Sequence, residues 1–152
     1  MNYEEYLKTG IGFFNLVPEK HKTPELCLLA VSLRGFSLGY VPQKLRTPEI
    51  CLVAIRQSGR ALYWAPGKLK TLALCLEAVT QDGWAIIYVP DKLKTPEMYL
   101  AAIKQSGRTL FLIPTELKTP ELCLAAISQN PEAQEFSPYS VLELMSAEYP
   151  GC

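Results

Sequence analysis

The stretch that decides the fold is LKTPEMYLAAIKQSGRTLFLIP, residues 93–114, because residues 45–66 read LRTPEICLVAIRQSGRALYWAP. More than half of the letters in the two stretches are the same. Threonine and proline also recur along the chain with a stricter period of 24 residues. The threonines are Thr23, Thr47, Thr71, Thr95 and Thr119; the prolines are Pro18, Pro42, Pro66, Pro90, Pro114 and Pro138. A fixed period between about 20 and 50 residues indicates stacked structural units.

Counted from its threonine as position 1, each unit follows T-P-E-L-C-L-x-A-V-x-Q-x-G-x-x-L-x-x-V-P-x-x-L-K. We expect a single helical-repeat domain over residues 1–152. Residues 1–22 form a partial leading repeat and cap, residues 23–118 four full repeats, and residues 119–152 a degenerate repeat and C-terminal cap. The units are numbered below from Thr23, so that unit 5 starts at Thr119.

The letters of the unit predict one helix of about three turns followed by a shorter helical segment, α or 3₁₀. Threonine is a helix N-cap, proline suits the first helical position, and glutamate meets the positive end of the helix dipole. We expect the glycine at position 13 to end the helix in a left-handed conformation. We also expect the second segment to point one leucine and its aromatic residue at position 18, Tyr40, Trp64 or Tyr88, inward.

Neither half of the unit can cover its own apolar face, so stacked neighbours bury a continuous core. The sequence therefore predicts an all-α solenoid with helical caps. It also predicts that the alanine at position 8 is buried at close helix contacts in every unit: Ala30, Ala54, Ala78, Ala102 and Ala126.

Departures from the pattern at both ends predict caps. Asn2 is placed to cap a first helix, and Ser137 with Pro138 predicts the start of a final helix that runs to about Tyr149. Within the array, Leu72-Ala73 replaces the usual Pro-Glu, which weakens that helix start.

The composition restricts the class of protein. Hydrophobic residues make up 49% of the chain, enough for a packed core. Lysine plus arginine equals aspartate plus glutamate, at 15 each, which disfavours a general polyanion binder but allows a local basic patch. The first residues do not read as a secretion signal, and no apolar run is long enough to span a membrane. Five widely spaced cysteines suit a reducing compartment, so we expect a cytoplasmic protein.

No residue pattern predicts catalysis. The cysteines at position 5, one per unit, are a helix spacing apart, too far for shared zinc ligation, and we expect them to be buried core residues. His21 has no partnered nucleophile or second ligand. We therefore expect no enzyme activity, cofactor, metal or small-molecule substrate.

Positions 3, 7, 10 and 14 fall on one stripe of the first helix and just past it. Position 3 is mostly glutamate, but the units differ at the other three positions and also at position 17. Tryptophan and arginine are typical of binding hot spots, so this variable stripe predicts a surface for another protein, with Trp84 and Arg60/Arg108 as its anchor. The residues that we expect to bind the partner are Phe36, Arg56, Arg60, Tyr63, Trp84, Lys104 and Arg108. A further interpretation is that these are solvated surface residues.

The alternative function is a nucleic-acid-associated module that uses Arg56, Arg60, Lys104 and Arg108 as a basic patch. A second group of cations lies near the loops and predicts either a solvated charge ladder or a basic edge: Lys44, Arg46, Lys68, Lys70, Lys92, Lys94 and Lys118. Aromatic residues that point inward count against recognition of one base per repeat.

The motif LKTPELCLAAISQN, together with GxxLxxVP, resembles a bacterial family of tandem repeats of unknown function. The resemblance extends from about Phe14 to Leu142. It implies a bacterial origin and a helical repeat fold, and it brings no catalytic residues. In length and layout the unit is also similar to leucine-rich variant repeats, which alternate an α-helix with a 3₁₀ turn.

Overall fold

The computed structural model describes residues 2–9 and 13–148, and within them all regular structure is helical. Five α-helices of ten residues repeat along the chain between a shorter helix at each end. The α-helices are α1 (Tyr3–Lys8), α2 (Pro24–Leu33), α3 (Pro48–Gln57), α4 (Leu72–Gln81), α5 (Pro96–Gln105), α6 (Pro120–Gln129) and α7 (Val141–Glu148). The predicted all-α solenoid is confirmed.

Each ten-residue α-helix is followed by a 3₁₀ helix of six residues. These long 3₁₀ helices are Gly35–Tyr40, Gly59–Trp64, Gly83–Tyr88, Gly107–Leu112 and Pro131–Phe136. A three-residue 3₁₀ helix that the sequence did not predict precedes α2 to α6: Glu19–His21, Gln43–Leu45, Gly67–Leu69, Asp91–Leu93 and Thr115–Leu117. In the leading repeat, Phe14–Leu16 takes the place of the long 3₁₀ helix.

The helix starts follow the predicted capping chemistry. In α2 to α6 the threonine hydroxyl accepts a hydrogen bond from the main-chain N–H three residues later, at 3.3 Å each time. Helix α4 begins at the same position without the Pro-Glu pair, because Thr71 alone caps Leu74. At the N-terminus, Asn2 accepts from the main-chain N–H of Glu4 at 3.1 Å, which confirms the predicted first cap.

The core runs along the whole array between two helical layers. The α-helices of successive units pack on one another, and the long 3₁₀ helices do the same. Each of α3 to α6 also contacts the long 3₁₀ helix before it and the one after it. The five alanines at position 8 are 0–2% exposed, as predicted. Small residues at these contacts allow the backbones of stacked helices to approach closely, which fixes the spacing between units.

The prediction that the glycines at position 13 adopt a left-handed conformation is wrong. None of Gly35, Gly59, Gly83 and Gly107 has a positive φ; each begins a 3₁₀ helix after a residue in extended conformation. Glycine is required by space instead. A Cβ atom on Gly59 would collide with the main-chain oxygen of Ala78 in the next unit. A Cβ atom on Gly83 would lie 2.5 Å from the main-chain oxygen of Ala102.

The final helix starts later than predicted. It begins at Val141 rather than near Pro138, because Ser140 and Glu143 form a reciprocal capping box. The Ser140 N–H donates to Glu143 Oε2 at 2.7 Å, and the Glu143 N–H donates to Ser140 Oγ at 3.3 Å. Ser137 instead accepts from the N–H of Tyr139 in the preceding turn. The helix ends at Glu148, and Tyr149 lies outside the described residues.

Within the described residues, no helix combines the length and the apolar character that crossing a bilayer requires.

Candidate interaction face

The variable stripe lies where the α-helices end and the long 3₁₀ helices begin. Position 10, which holds Arg56 and Lys104, is in the last turn of an α-helix, and position 14 is the second residue of a 3₁₀ helix. In a 3₁₀ helix, residues three apart are eclipsed, so positions 14 and 17 form one ridge. This geometry places Arg60 and Tyr63 on the same ridge, with Trp84 on the next ridge along the array.

Three of the four cations of the stripe are paired with acids of the following unit. Arg56 Nε donates to Glu77 Oε1 at 2.7 Å, and Arg60 Nε donates to Asp82 Oδ2 at 2.7 Å. Arg108 Nη2 lies 3.8 Å from Glu132 Oε2. Lys104 is exposed and, among the described residues, takes part in no ion pair. The basic patch seen in the sequence is therefore largely neutralised locally.

Trp84 is half-buried rather than a protruding anchor. Its main-chain N–H donates to Asp82 Oδ1 at 3.0 Å, so the same carboxylate both caps the 3₁₀ helix and pairs with Arg60. Trp84 also lines a shallow hollow of about 370 Å³ with Gln105 and Ser106 of the next unit. The indole therefore forms part of the seam between units 3 and 4.

Phe36 and Tyr63 are exposed, at 53% and 56%. The ring of Tyr63 packs edge-to-face on Trp64, with centroids 4.6 Å apart, and on Tyr88 of the next unit, with centroids 5.2 Å apart. A Cβ atom on Gly39 would lie 2.8 Å from the Trp64 ring, so that glycine leaves room for the indole.

The prediction that the aromatic residues at position 18 point inward is wrong. Tyr40 is 53% exposed, Trp64 is 39% exposed, and Tyr88 is half-buried. The small residues at position 15, such as Ala61 and Ala85, are fully buried, and the other inward place belongs to the leucine or isoleucine at position 16. Leu38, Leu62 and Leu110 are fully buried there.

The outward side of the 3₁₀ layer is thus unusually apolar, and we call it the 3₁₀ face. Large exposed side chains of this kind recur from the leading repeat to unit 4: Leu16, Phe36, Tyr40, Tyr63, Trp64, Ile87 and Phe111. Runs of exposed apolar side chains on a soluble fold mark interaction surfaces, and tyrosine, tryptophan and phenylalanine are the types enriched at them.

The cations at position 24 have a structural role that the sequence did not predict. Lys22, Arg46, Lys70 and Lys118 each donate to the main-chain carbonyl of the residue at position 18 of the next unit, at 3.0, 2.8, 3.2 and 2.8 Å. They cap the ends of the long 3₁₀ helices, where carbonyl groups lack helical partners. The expectation of a simple solvated charge ladder is therefore wrong for Arg46, Lys70 and Lys118, although Lys44, Lys68 and Lys92 are exposed.

The glutamine at position 11 was overlooked, although the repeat shows it in four units. Gln57, Gln81 and Gln129 accept, through Oε1, the N–H of the glycine that starts the 3₁₀ helix of the preceding unit, at 2.5, 2.5 and 2.6 Å. Gln105 Nε2 donates instead to the carbonyl of Thr80 at 2.8 Å. This glutamine clamp joins each unit to the one before it.

The nucleophilic groups lie in structural environments. Cys27, Cys51, Cys75 and Cys123 are free and buried, as expected, while Cys152 lies outside the described residues. Burial raises the pKa of the Cys27 thiol to about 11 and raises the pKa of Cys51 and Cys75. Thiols with a raised pKa are poor nucleophiles. His21 is exposed, and its ring lies 5.1 Å from that of Tyr3.

Two stretches of the chain, residues 23–70 and 74–118, match a family described as domain of unknown function (DUF4116). Together they cover most of the array from Thr23 to the end of unit 4. Comparisons with curated proteins and with solved structures gave no match.

Proposed function

The chain belongs to the family described as domain of unknown function (DUF4116), and we propose that it is a non-catalytic scaffold that binds another protein through its 3₁₀ face. The observation that carries this proposal is the row of exposed Leu, Phe, Tyr, Trp and Ile side chains along that face. The solenoid does not need them for its core, which the residues at positions 4, 5, 8, 9 and 16 already fill.

The paired cations suit a protein partner. Arg56 and Arg60 keep their planar guanidinium groups at the edge of the 3₁₀ face while carboxylates offset their charge. Guanidinium groups in such pairs can exchange partners with an acidic side chain on another protein, and arginine is enriched at protein interfaces. Tyr63 lies three residues after Arg60 on the same ridge, so apolar and charged contacts would be made together.

The wider setting that we infer is the bacterial cytoplasm. The resemblance of the repeat motif supports the bacterial origin. The four buried free cysteines support a reducing compartment, where thiols stay unpaired.

The test is a pull-down from nuclease-treated bacterial lysate with the tagged protein and two variants, quantified by mass spectrometry. Tyr63→Ser/Phe111→Ser removes two rings that are 56% and 62% exposed, and Leu72→Ser is the control because Leu72 is 51% exposed at the start of α4, away from the face. We expect specific proteins to be retained by the wild type and by Leu72→Ser but lost with the double variant. Equal retention by all three forms would refute the proposal.

Nucleic-acid binding is a second candidate because one observation favours it. Tyr40 and Trp64 occupy the same repeat position and are exposed, as aromatic platforms for base stacking would be. The compensated charges of Arg56, Arg60 and Arg108 argue against it, because phosphate contacts need uncompensated cations. Fluorescence anisotropy with labelled single-stranded RNA decides between the two. Binding that weakens steeply with added salt and is lost in Trp64→Ala would favour this candidate.

A further inference from the structure

A second surface lies on the opposite, α-helical side of the array, between α5 and α6. It is a groove of about 580 Å³, within the range of about 300–1,000 Å³ that ligand sites occupy. Its walls are mainly apolar and include Tyr99, Leu100, Leu117 and Leu122. Leu117 is 49% exposed, whereas Leu45, Leu69 and Leu93, at the same position of the other units, are half-buried.

The units that form the groove depart from the repeat pattern at several positions. Tyr99 stands where units 1, 2, 3 and 5 have a cysteine, and the larger ring forms part of the groove wall. The turn before α5 also differs: Thr95 has a φ of −121°, against −75° to −80° for the other capping threonines. Among the described residues, Thr95 lacks the N–H bond to the residue two before it that Thr47, Thr71 and Thr119 make.

Lys94 also departs from its counterparts at the end of the other units. Lys70, at the end of unit 2, and Lys118, at the end of unit 4, each donate to the last residue of the long 3₁₀ helix in the following unit. Lys94 Nζ instead donates to Asp91 Oδ1 at 2.7 Å. The lysine lines the groove, but the aspartate already compensates its charge.

The rim of the groove carries negative charge that is not paired with lysine or arginine in the described residues. Glu97, Glu116 and Glu121 line it, and none of them takes part in an ion pair of the described residues. Glu116 is at position 22, where the preceding units have Lys20, Lys44, Lys68 and Lys92. The change from lysine to glutamate reverses the charge next to the exposed Leu117.

The equivalent groove between α3 and α4 is an internal comparison. It is smaller, about 400 Å³, and its acid, Glu77, is paired with Arg56 at 2.7 Å. Lys68 stands at the position of Glu116, and Ala73 at the position of Glu121. The same place in the fold is therefore charge-balanced in one pair of units and acidic in the other.

We propose that the α5–α6 groove docks an amphipathic helical segment of a partner protein, with apolar side chains in the groove and lysine or arginine residues against Glu97, Glu116 and Glu121. An apolar groove between two helices is the usual receptor for an amphipathic helix, and the acidic rim selects a basic one. This site is separate from the 3₁₀ face and does not depend on the function proposed for that face.

The test uses a fluorescein-labelled peptide of about 14 leucine and lysine residues, with leucines spaced i, i+3, i+4 and i+7 to form one apolar face. Anisotropy titrations compare the wild type with Glu97→Lys, Glu116→Lys and Leu117→Ser. The control is Glu49→Lys, because it makes the same charge change at the same repeat position as Glu97 but lies outside both grooves. Circular dichroism establishes that each variant is folded.

We expect the peptide to bind the wild type and Glu49→Lys equally, and each groove variant about fivefold more weakly. A second peptide with glutamate in place of lysine should not bind. The proposal is overturned if Glu49→Lys weakens binding as much as Glu97→Lys, if Leu117→Ser has no effect, or if the acidic peptide binds equally well. It is also overturned if sedimentation shows that the wild type self-associates through Leu117, since a second copy of the chain would then occupy the groove. Tyr63→Ser/Phe111→Ser should bind the peptide normally, so this outcome is independent of the 3₁₀ face.

Discussion

Replacement of Gly59 by alanine tests the packing role of the repeat glycines. The added Cβ atom would collide with the main-chain oxygen of Ala78, and it would lie 2.9 Å from Gln81 Oε1 and 3.0 Å from the main-chain nitrogen of Asp82. Two of these three contacts are main-chain atoms of the next unit, so α4 must move as a body. The shift also stretches the bond from the Gly59 N–H to Gln81 Oε1, now 2.5 Å.

The expected cost follows from these two effects. Overpacking of a tight core costs about 1–3 kcal/mol, and weakening a buried hydrogen bond costs about 1 kcal/mol more. We therefore expect Gly59→Ala to lower the free energy of unfolding by about 2–4 kcal/mol and the melting temperature by about 5–15 °C. Urea titration followed by circular dichroism at 222 nm, a standard helix signal, measures the free energy.

Two controls separate packing from backbone conformation. Gly67→Ala should be neutral or stabilise by up to about 1 kcal/mol, because a Cβ there meets nothing within 4 Å. Asparagine tolerates the left-handed conformation, so at a left-handed position Gly59→Asn would be milder than Gly59→Ala. Packing predicts the opposite order, because asparagine is larger. If Gly59→Ala is as stable as Gly67→Ala, or Gly59→Asn more stable than Gly59→Ala, the close-approach argument fails.

Three further outcomes follow from the contacts between units. Gln81→Leu should lower the free energy of unfolding by about 1–3 kcal/mol, because it leaves the buried N–H of Gly59 without an acceptor. An unchanged urea midpoint would show that the glutamine clamp does not stabilise the array. Lys70→Met should lower the free energy of unfolding by about 1.5 kcal/mol, because it removes the hydrogen bond to the Tyr88 carbonyl. Lys94→Met should lower it by less than about 1 kcal/mol, because it breaks only an exposed ion pair. The reverse order in thermal melts would contradict the capping role of Lys70. The four buried cysteines should react with a thiol reagent at pH 8 only as fast as the protein unfolds, since the fold shields all four and burial also raises the pKa of Cys27, Cys51 and Cys75. Rapid reaction of all five thiols of the chain would show that the core is open.

The sequence predicted the parts of the fold that depend on local chemistry. A threonine cap with proline after it acts within one helical turn, and the buried alanines follow from a period that five units repeat. Each of these signals needs only neighbouring residues to be interpreted, and the structure places Thr71 and Ala78 where the pattern predicts. Even Leu72-Ala73 did not shift the start of α4, because the cap sufficed.

The glycines were misinterpreted because a local rule competed with a tertiary contact. Glycine after a helix commonly adopts a left-handed conformation, but here a neighbouring helix leaves no room for a Cβ atom. A signal for the correct interpretation was present in the sequence. Glutamine occupies position 11 only in units whose predecessor has the glycine, whereas Leu33 in unit 1 follows Ile11 at the corresponding place.

The candidate face could be predicted only in part, because its geometry depends on the type of helix. With three residues per turn, positions 14 and 17 share an outward ridge, and the smaller residue at position 15, such as Ala61, takes the buried place while position 18 stays partly exposed. Tyr40 and Trp64 were misplaced for this reason. The ion pairs were beyond sequence reasoning as well, because Arg56 and Glu77 are 21 residues apart and meet only across stacked units.

A repeat chain provides its own comparison for deciding which surface residues the fold does not require. At position 22 a lysine suffices in four repeats, so the structure of the unit does not require Glu116. At position 5 a cysteine fills the core in four units, so the unit does not require the larger Tyr99 either. Substitutions without a structural requirement could fall on any side of the array, yet these two adjoin the same groove. Their common location on an apolar, acidic-rimmed surface is more simply explained by a ligand than by separate adjustments of the core.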